Sequence, residues 1–504
     1  MLMDRGTAPY ETSGRRPALP WSRAPTPAGL SPMRSGDSTD NAHSLVGARA
    51  HAPRPVAFLV FLMLGISILL GYLIGSGLVA RHLVVMSIAM VIAAYLLGWR
   101  AKSDVETWLP GLMALAMMAK LAGASVRYYV LIELYDGSGD AGRYHTFAVE
   151  IAETWRNLQV PDVTTVAFGS AGTRFTAWVT GLLYAPYQPS FQGGFWIFAL
   201  LAFIGQLFLY LAFRKAVRSQ TWKRFAFFLF FWPTLVYWPS SIGKEALIML
   251  FLGIGCWAAA NLFQDYRLRW LPLVGASAYL ISLVRVHMAA LLVGSLLLTV
   301  VLAKSRGKFD TPLRRVVILL IGASALVPLA FGVGEKFDLD VAALSADNLD
   351  PLFAEVGDTT QQGGSSVSGG VIRSPLDIPA GVLKVLFRPL PVEADSLQML
   401  ASSAEGALLL GLLVWRFPHV LRNVRQIRRT PFLLFCFLYS GLFIWAWSAI
   451  LNLGILARQR SLVIPFVLAL IAVLGWTEED DVAQPNGIEN VGTKMSGRQP
   501  SLQT

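Results

Sequence analysis

The chain has 504 residues, of which 55% are hydrophobic and only 14% are charged. Soluble domains carry about 25% charged residues, so this composition excludes an ordinary soluble protein and predicts an integral membrane protein. The net charge of +11 does not predict a nucleic-acid partner, because the Lys and Arg residues cluster in short segments between apolar runs.

Both ends of the chain differ from its centre. Residues 1–54 are rich in Pro, Ser, Gly and Arg and lack periodicity, and residues 477–504 are also polar and unpatterned. Each is predicted to be a disordered cytoplasmic tail flanking one transmembrane domain at 55–476. No signal peptide is predicted, because the first apolar run is long and lacks a small-residue cleavage site. Cys256 and Cys436 lie inside apolar runs and are predicted to be small core residues.

Apolar runs of membrane length recur along the central domain. About twelve of them predict an all-α polytopic membrane protein with extracytoplasmic surface helices and a large extracytoplasmic loop. The predicted spans are 56–78, 83–99, 108–130, 192–213, 225–239, 245–262, 270–284, 288–303, 316–333, 403–416, 431–452 and 461–476.

The basic segments decide the predicted orientation. WRAK, FRKAVRSQTWKR, YRLR, AKSRGKFDTPLRR and WRFPHVLRNVRQIRR all fall on one side of these spans, together with the N-terminal tail. The positive-inside rule makes that side cytoplasmic in a multi-pass plasma membrane protein with both termini inside. The loops 131–190 and 334–402 are then extracytoplasmic. Counting 173–190 as a span would put the basic segment at 213–224 outside, so it is interpreted as a helix on the outer membrane surface.

The stretch YDGSGDAGRYHTF, residues 135–147, places acidic groups directly after an apolar run. Apolar residues recur at three- and four-residue intervals from Ala141, which predicts an amphipathic helix over 141–156. Asp140 has two interpretations: the N-cap of this helix, or a general base that takes a proton from an incoming hydroxyl. A second carboxylate, Asp136, and the hydrogen-bonding groups of Tyr144 and His145 favour a functional site.

The motif also carries a resemblance. Gly139-Asp140-Ala141-Gly142-Arg143-Tyr144-His145, in a first large outer loop after an early span, resembles the GDAxxYH form of bacterial GT-C membrane glycosyltransferases. The resemblance covers topology from about residue 108 to 476, whereas the two spans before it depart from the commonest arrangement. It implies a polyprenyl-phosphate-linked sugar donor and a loop aspartate as catalytic base. Asp140 is then the first candidate base and Asp136 the second.

Other outward-facing segments offer groups for a lipid phosphate. In YWPSSIGKEALIMLFL, a helix is predicted to begin near Gly243 and Lys244, and its free amides and the lysine would bind an anion. This SSIGKE turn also resembles one found in bacterial envelope-glycan membrane proteins. The alternative is that Lys244 and Glu245 are a snorkelling pair that ends a span. Arg285 and His287 are weaker substrate-binding candidates, because a short loop can expose both side chains to solvent even if neither has a function.

Two later segments add arginines. Arg388 and Glu393, in FRPLPVEADS, are predicted either to hold a shared ligand or to form a loop ion pair. Arg458 and Arg460, in NLGILARQR, lie where positive charge is disfavoured, so they are predicted to bind phosphate or to cap helix carbonyls. No grouping of His, Asp and Glu demands a metal. A divalent cation shared by Asp136 and Asp140 is left open, so no cofactor is predicted.

Together these residues predict inverting transfer of a sugar from a polyprenyl-phosphate carrier to an envelope glycan or lipid acceptor at the outer face. One alternative is a polysaccharide repeat-unit polymerase or O-antigen-ligase-like enzyme, in which Arg388, Arg458 and Arg460 would matter more than Asp140. A second is a lipid or glycan transporter, for which Lys120 in the third span is the main polar candidate. A scaffold without chemistry is the last alternative.

Overall fold

The computed structural model describes residues 78–137, 139–162, 169–187, 189–217, 219–265, 267–304, 311–336, 350–361 and 369–473. They belong to one compact unit, Pro53–Thr504, and over these ranges the chain forms helices and no β-strand. The expected all-α architecture is therefore confirmed. Both predicted tails and nearly all of the first predicted span, 56–78, lie outside the described residues.

Seventeen α-helices follow one another along the described part of the chain. They are α1 Leu78–Ala101, α2 Leu109–Tyr129, α3 Asp140–Arg156, α4 Ala171–Tyr184, α5 Phe191–Ala216, α6 Trp222–Phe231, α7 Pro233–Tyr237, α8 Lys244–Asp265, α9 Leu271–Val284, α10 Val286–Leu302, α11 Pro312–Lys336, α12 Asp350–Thr360, α13 Ile378–Val382, α14 Leu397–Gln426, α15 Pro431–Trp447, α16 Leu453–Gln459 and α17 Ile464–Ala472. Helix α2 continues through a wider turn, Val130–Leu134, and α13 through another, Leu383–Phe387.

Six of the described helices are long and apolar enough to cross a membrane, and a seventh span results if the bent pair α16 and α17 is counted as one. The six are His82–Ala101, Leu109–Leu134, Phe191–Ala216, Lys244–Phe263, Pro312–Glu335 and Leu397–Arg422. Three further apolar helices are shorter: Leu268–Val284, Val286–Leu302 and Pro431–Trp447. A multi-pass membrane protein is thus supported, whereas the count of about twelve spans stays a prediction.

The centre of the unit is the contact between α5 and α8, in which the two backbones touch. A Cβ atom on Gly205 would lie 2.3 Å from the Met249 carbonyl oxygen, and one on Gly253 would lie 2.1 Å from the Gly205 carbonyl oxygen. Only glycine fits at both positions, as is usual where membrane helices approach closely. This contact fixes α8, whose first residues carry the candidate site.

A pair of helices, α3 and α4, packs beside the long helices. The amphipathic helix predicted over 141–156 is confirmed, with Tyr144, Ala148 and Ile151 on its buried face. The helix begins at Asp140 itself, Gly139 is its N-cap, and no side chain caps it. The N-cap interpretation of Asp140 is therefore wrong, because its carboxylate accepts none of the first free amides. Helix α4 has 14 residues and is not among the candidate spans.

The predicted span 225–239 is broken between α6 and α7, where Pro233 follows Trp232. A proline lacks the N–H that would bond to the carbonyl four residues earlier, here Leu229. The Gln206 side chain supplies the missing donor, with its Nε2 atom 2.8 Å from the Leu229 oxygen. Buried Lys120 donates from Nζ to Gln206 Oε1 at 2.9 Å and to the Leu235 oxygen at 2.7 Å. The break is thus closed by side chains from α2 and α5.

A third buried side chain ties α14 to the same break. Glu405 accepts a hydrogen bond from Thr234 Oγ1 at 2.7 Å and another from the Trp232 indole N–H. Polar groups within an apolar bundle are costly unless paired, so these bonds fix the direction in which α7 leaves α6. Helix α7 then leads to the turn that precedes α8.

The two ends of the helix bundle carry different polar residues. At one end lie Asp140, Lys244, Arg285 and Arg458, and we call it the site end. At the other lie Ala101, Arg214 and Leu302, and we call it the capping end. Helix α5 connects the two, since Phe191 at its start contacts the His145 ring and Arg214 at its finish bonds to Ala101. Its 26 residues span roughly 39 Å at the usual helical rise.

Candidate functional site

A pocket of about 330 Å³ opens at the site end of the bundle. Its walls come from the end of α2, the start of α3, the turn before α8 and the first residues of α14 and α16. Its polar lining consists of Arg127, Asp140, Tyr144, Ser241, Lys244, Glu245, Gln398, Asn452 and Arg458. Five residues predicted from three separate segments of the sequence are thus brought together: Asp140, Tyr144, Lys244, Glu245 and Arg458.

Glu245 is the centre of the charge arrangement. Its carboxylate is 5% exposed and lies 2.9 Å from Arg285 Nη2 and 3.0 Å from Arg458 Nε. Arg458 Nη1 also approaches Asp140 Oδ2 at 3.9 Å. Arg458 therefore lies between a buried carboxylate and an exposed one. The Glu245 carboxylate thus pairs with two guanidinium groups. A snorkelling pair of Lys244 and Glu245 that merely ends a span does not account for these contacts.

The first turn of α8 adds an ammonium group to the pocket. Lys244 Nζ donates to Thr173 Oγ1, 2.9 Å away, at the start of α4. Thr173 also bonds to the Tyr144 side chain, and burial together with the nearby Asp140 charge raises the pKa of Tyr144 well above its usual value. Tyr144 therefore remains a neutral hydroxyl at physiological pH. The α3–α4 pair thereby fixes the direction of the lysine.

Arg127, near the end of α2, lines the same pocket and was not singled out from the sequence. Its guanidinium lies 5.0 Å from the Tyr237 ring centroid and 4.3 Å from that of Trp238, and its Nη1 is 3.3 Å from the Tyr237 hydroxyl. Such cation–π contacts orient an arginine without neutralising it. An arginine close to the end of a predicted span was the available signal.

Three predicted residues lie outside the pocket lining. Asp136 is exposed, in a turn with φ of 48°. His145 faces α4, where its Nδ1 lies 3.0 Å from the Tyr184 hydroxyl, and burial lowers the pKa of this imidazole. His287 contacts the Trp447 ring, with centroids 5.5 Å apart. Of these three residues, only Asp136 is exposed. It precedes Asp140 by four residues in the sequence.

The other predicted residues, Arg285, Arg388, Glu393 and Arg460, also lie outside the pocket lining. Arg388 binds Glu393, with Nε and Oε2 3.0 Å apart, which is the ion pair considered from the sequence. Arg460 is 1% exposed and donates from Nη1 to the Leu386 oxygen at 2.8 Å. Its second contact, from Nη2 to the Ser402 oxygen at 3.5 Å, reaches α14. Arg460 therefore caps carbonyl oxygens, which is one of the two roles predicted for it.

The pocket is electropositive overall. Its lining holds three cationic groups, Arg127, Lys244 and Arg458, and two carboxylates, Asp140 and Glu245. Arg285 lies outside the lining but pairs with Glu245, so the positive charges outnumber the negative ones. The turn before α8 adds the amides of a helix N-terminus, which favour anions. In the described part of the chain, no group of three or more His, Cys, Asp or Glu side chains is placed to hold a metal ion. The arrangement suits an anion beside a carboxylate.

In comparisons with known proteins, no protein family, no curated protein and no solved structure matches the chain. The function is therefore argued from the pocket itself.

Proposed function

We propose that the chain is a membrane glycosyltransferase that moves a sugar from a polyprenyl-phosphate carrier to a hydroxyl of an envelope glycan or lipid acceptor, with inversion at the anomeric carbon. The observation that carries the proposal is the pairing of an accessible carboxylate with a cationic cluster in one pocket. Asp140 has a side chain 58% exposed and lies 3.9 Å from an Arg458 nitrogen. A base and an anion site are the two elements that such a transfer requires.

The carrier phosphate would bind to the cationic side of the pocket. Lys244 and Arg458 offer hydrogen-bond donors to phosphate oxygens, and Arg127 contributes charge from the aromatic face that holds it. Glu245 keeps Arg285 and Arg458 in place before the substrate arrives. These cations would stabilise the negative charge that develops on the phosphate as the sugar leaves it.

Asp140 would act as the general base. The acceptor oxygen attacks the anomeric carbon, the bond from that carbon to the phosphate oxygen breaks, and its electron pair stays on the carrier phosphate. The acceptor proton passes to the Asp140 carboxylate. Attack from the side opposite the leaving phosphate gives inversion. Because an ionised phosphate ester leaves readily, no second carboxylic acid is required.

Two observations weigh against the alternatives. A polymerase or ligase that relied on Arg388, Arg458 and Arg460 would need them together, but Arg388 is paired with Glu393 and Arg460 caps carbonyls. A transporter would use Lys120, but this lysine hydrogen-bonds to Gln206 and to the Leu235 carbonyl at the helix break. Asp140, by contrast, remains accessible to a substrate.

The proposal includes a placement in the membrane. The site end would face the extracytoplasmic side and the capping end, which carries the basic segments, the cytoplasm. Both termini would then be cytoplasmic. About twelve spans would be reached if the bent pair, the three short apolar helices, the broken segment 225–239 and the predicted span 56–78 also cross the bilayer. Cysteine accessibility labelling at Asp136 and Lys304, which belong to the two opposite ends, tests this placement.

Complementation of a deletion strain tests the reaction. Asp140→Asn is expected to lower the glycan product by roughly 100-fold or more, because a general base contributes 10²–10⁴-fold. Asp136→Asn is the matched control and is expected to restore the product fully. Lipid-linked intermediates and envelope glycans would be measured by mass spectrometry. Full complementation by Asp140→Asn would exclude the proposed base, and accumulation of single repeat units would favour the polymerase.

A further inference from the structure

The polar lining of the pocket contains neutral amide side chains as well as charged groups. Gln398, the second residue of α14, lines the pocket beside Asn452, whose side chain caps α16 by accepting from the Ile455 amide at 3.0 Å. The Gln398 Oε1 atom is buried and accepts no hydrogen bond from the described residues. A buried amide oxygen without a donor costs about 1–3 kcal/mol, so a ligand that pairs with it gains affinity.

The position of Gln398 is fixed by its helix. Ser396 caps α14 by accepting from the Met399 amide at 3.2 Å, which places Gln398 in the first turn. One turn later, buried Arg460 bonds to the Ser402 carbonyl and joins α14 to the segment before it. Glu405 binds the α6–α7 break through Thr234. The amide is therefore held on a rigid element rather than on a mobile loop.

The acceptor oxygen of Gln398 does not suit the phosphate, whose own oxygens are also hydrogen-bond acceptors. The phosphate is attracted to Lys244 and Arg458, and whatever is covalently attached to it must occupy the remainder of the same pocket. A sugar presents hydroxyl or acetamido groups that donate to an amide oxygen. A site built to hydrogen-bond a substrate group discriminates strongly against analogues that lack it.

We propose that Gln398 is a specificity-determining residue that accepts a hydrogen bond from the donor sugar and so distinguishes sugar-linked polyprenyl phosphate from the bare carrier. This assignment rests on the proposed function. Gln398 lies in none of the motifs that the sequence singled out. Its place in the pocket lining and its buried, unpaired oxygen identify it.

Competitive lipid binding, measured by native mass spectrometry of the purified chain, tests the assignment. The probes are undecaprenyl phosphate and its hexose-, pentose- and N-acetylhexosamine-linked forms, present together at equal concentration. Wild type is expected to prefer at least one glycosylated lipid over the bare phosphate by roughly tenfold. Gln398→Met, which keeps the size of the side chain, is expected to bind the bare lipid as wild type does and to lose that preference.

Two further variants separate the possible causes. Gln398→Glu keeps an acceptor oxygen, so it is expected to retain the sugar preference while binding every phosphate lipid more weakly. Lys244→Met is expected to lose bare and glycosylated lipids alike, because it removes a phosphate contact. These variants also show whether a loss in Gln398→Met reflects the amide or a general disturbance of α14.

The outcomes separate a failure of the role given to Gln398 from a failure of the proposed glycosyltransferase function. If wild type prefers a glycosylated lipid and Gln398→Met keeps that preference, Gln398 is not the discriminating residue, although the proposed function stands. Equal weakening of all lipids by Gln398→Met, or no preference in wild type, also overturns the assignment. If wild type binds none of these lipids, the proposed function fails and the role of Gln398 fails with it.

Discussion

Arginines serve different purposes at the two ends of the helices. At the capping end, Arg428 Nε donates to the Leu302 oxygen at 2.8 Å and Arg315 Nη1 to the Ala303 oxygen at 2.9 Å. At the site end, Arg458 faces carboxylates and a pocket. The last carbonyls of a helix lack partners within it and attract cations, so the first group satisfies the fold. The second group leaves charge available to a ligand.

The same contrast is visible for carboxylates. At the capping end, Glu106 accepts from Ser103 Oγ at 2.6 Å and from the Tyr210 hydroxyl, and it pairs with Arg214. Its bonding capacity is used within the protein. At the site end, Asp140 Oδ2 lies 3.9 Å from Arg458 Nη1, and the aspartate side chain is largely exposed. A carboxylate with unused capacity beside a cationic pocket is the better candidate for chemistry.

Removing the Glu245 carboxylate is expected to have the largest effect on stability. Glu245→Gln leaves Arg285 and Arg458 without their buried counter-charge, which costs about 3–5 kcal/mol in such pairs. The variant should also lose activity, because Arg458 would no longer be held. Thermal unfolding of the detergent-purified protein and complementation measure the two effects.

Glu393→Gln is the matched control, since it breaks an ion pair that is about one-fifth exposed. We expect a cost of about 1 kcal/mol or less and full activity. Equal destabilisation by Glu245→Gln and Glu393→Gln would contradict the central role given to Glu245.

The hydrogen bonds of Lys120 at the break between α6 and α7 are expected to give the next largest effect on stability. Lys120→Met removes the donors to Gln206 Oε1 and to the Leu235 carbonyl, and each unpaired buried group costs about 1–3 kcal/mol. Met118→Leu, two residues away on the same helix and also buried, keeps the volume and should cost under about 1.5 kcal/mol. Chemical or thermal unfolding of both variants measures the difference. A transporter would instead show Lys120→Met stable but unable to move its substrate.

The sequence predicted the parts of the site that local patterns specify. Glycine and proline before an apolar run located the start of α8 at Lys244, and the spacing of apolar residues located α3. Three of the segments that meet in the pocket, around Asp140, Lys244 and Arg458, were each noticed separately. Their convergence in space depends on α5, α8 and the α3–α4 pair packing together, and no local pattern states it.

The sequence did not show which groups the individual side chains contact. Arg458 and Arg460 are two residues apart and were predicted alike, but Arg458 points into the pocket and Arg460 is buried against the Leu386 carbonyl. Gln398 was not noticed, because an uncharged residue near a helix start carries no local signal. Gln206 was missed for the same reason, since its importance derives from a carbonyl freed by a distant proline.

Matched arginine substitutions sharpen the comparison between the ends. Arg428→Lys keeps a cation at the end of α10, so stability should fall by about 1 kcal/mol or less and activity should be unchanged. Arg458→Lys loses the planar group that reaches both Glu245 and Asp140, so activity should fall at least roughly tenfold with little change in the melting temperature. Glycan yield and melting temperature, measured for both variants, check the contrast. Reversed results would mean that the pocket arginine is structural.

The smallest expected effect is a dependence of stability on acid pH at the capping end. Burial opposes ionisation of Glu106, but hydrogen bonds from Ser103 and Tyr210 and the charge of Arg214 hold the pKa of Glu106 below its usual value. The unfolded chain therefore binds this proton first, so the carboxylate stabilises the fold above the usual glutamate range and loses that contribution as pH falls through the lowered pKa. Melting temperatures of wild type and Glu106→Gln should differ most near neutral pH and converge as the pH falls through the lowered pKa of Glu106. A gap that stays constant over this range would mean that Glu106 acts through shape alone, and the capping end would then owe its stability to the arginine–carbonyl bonds.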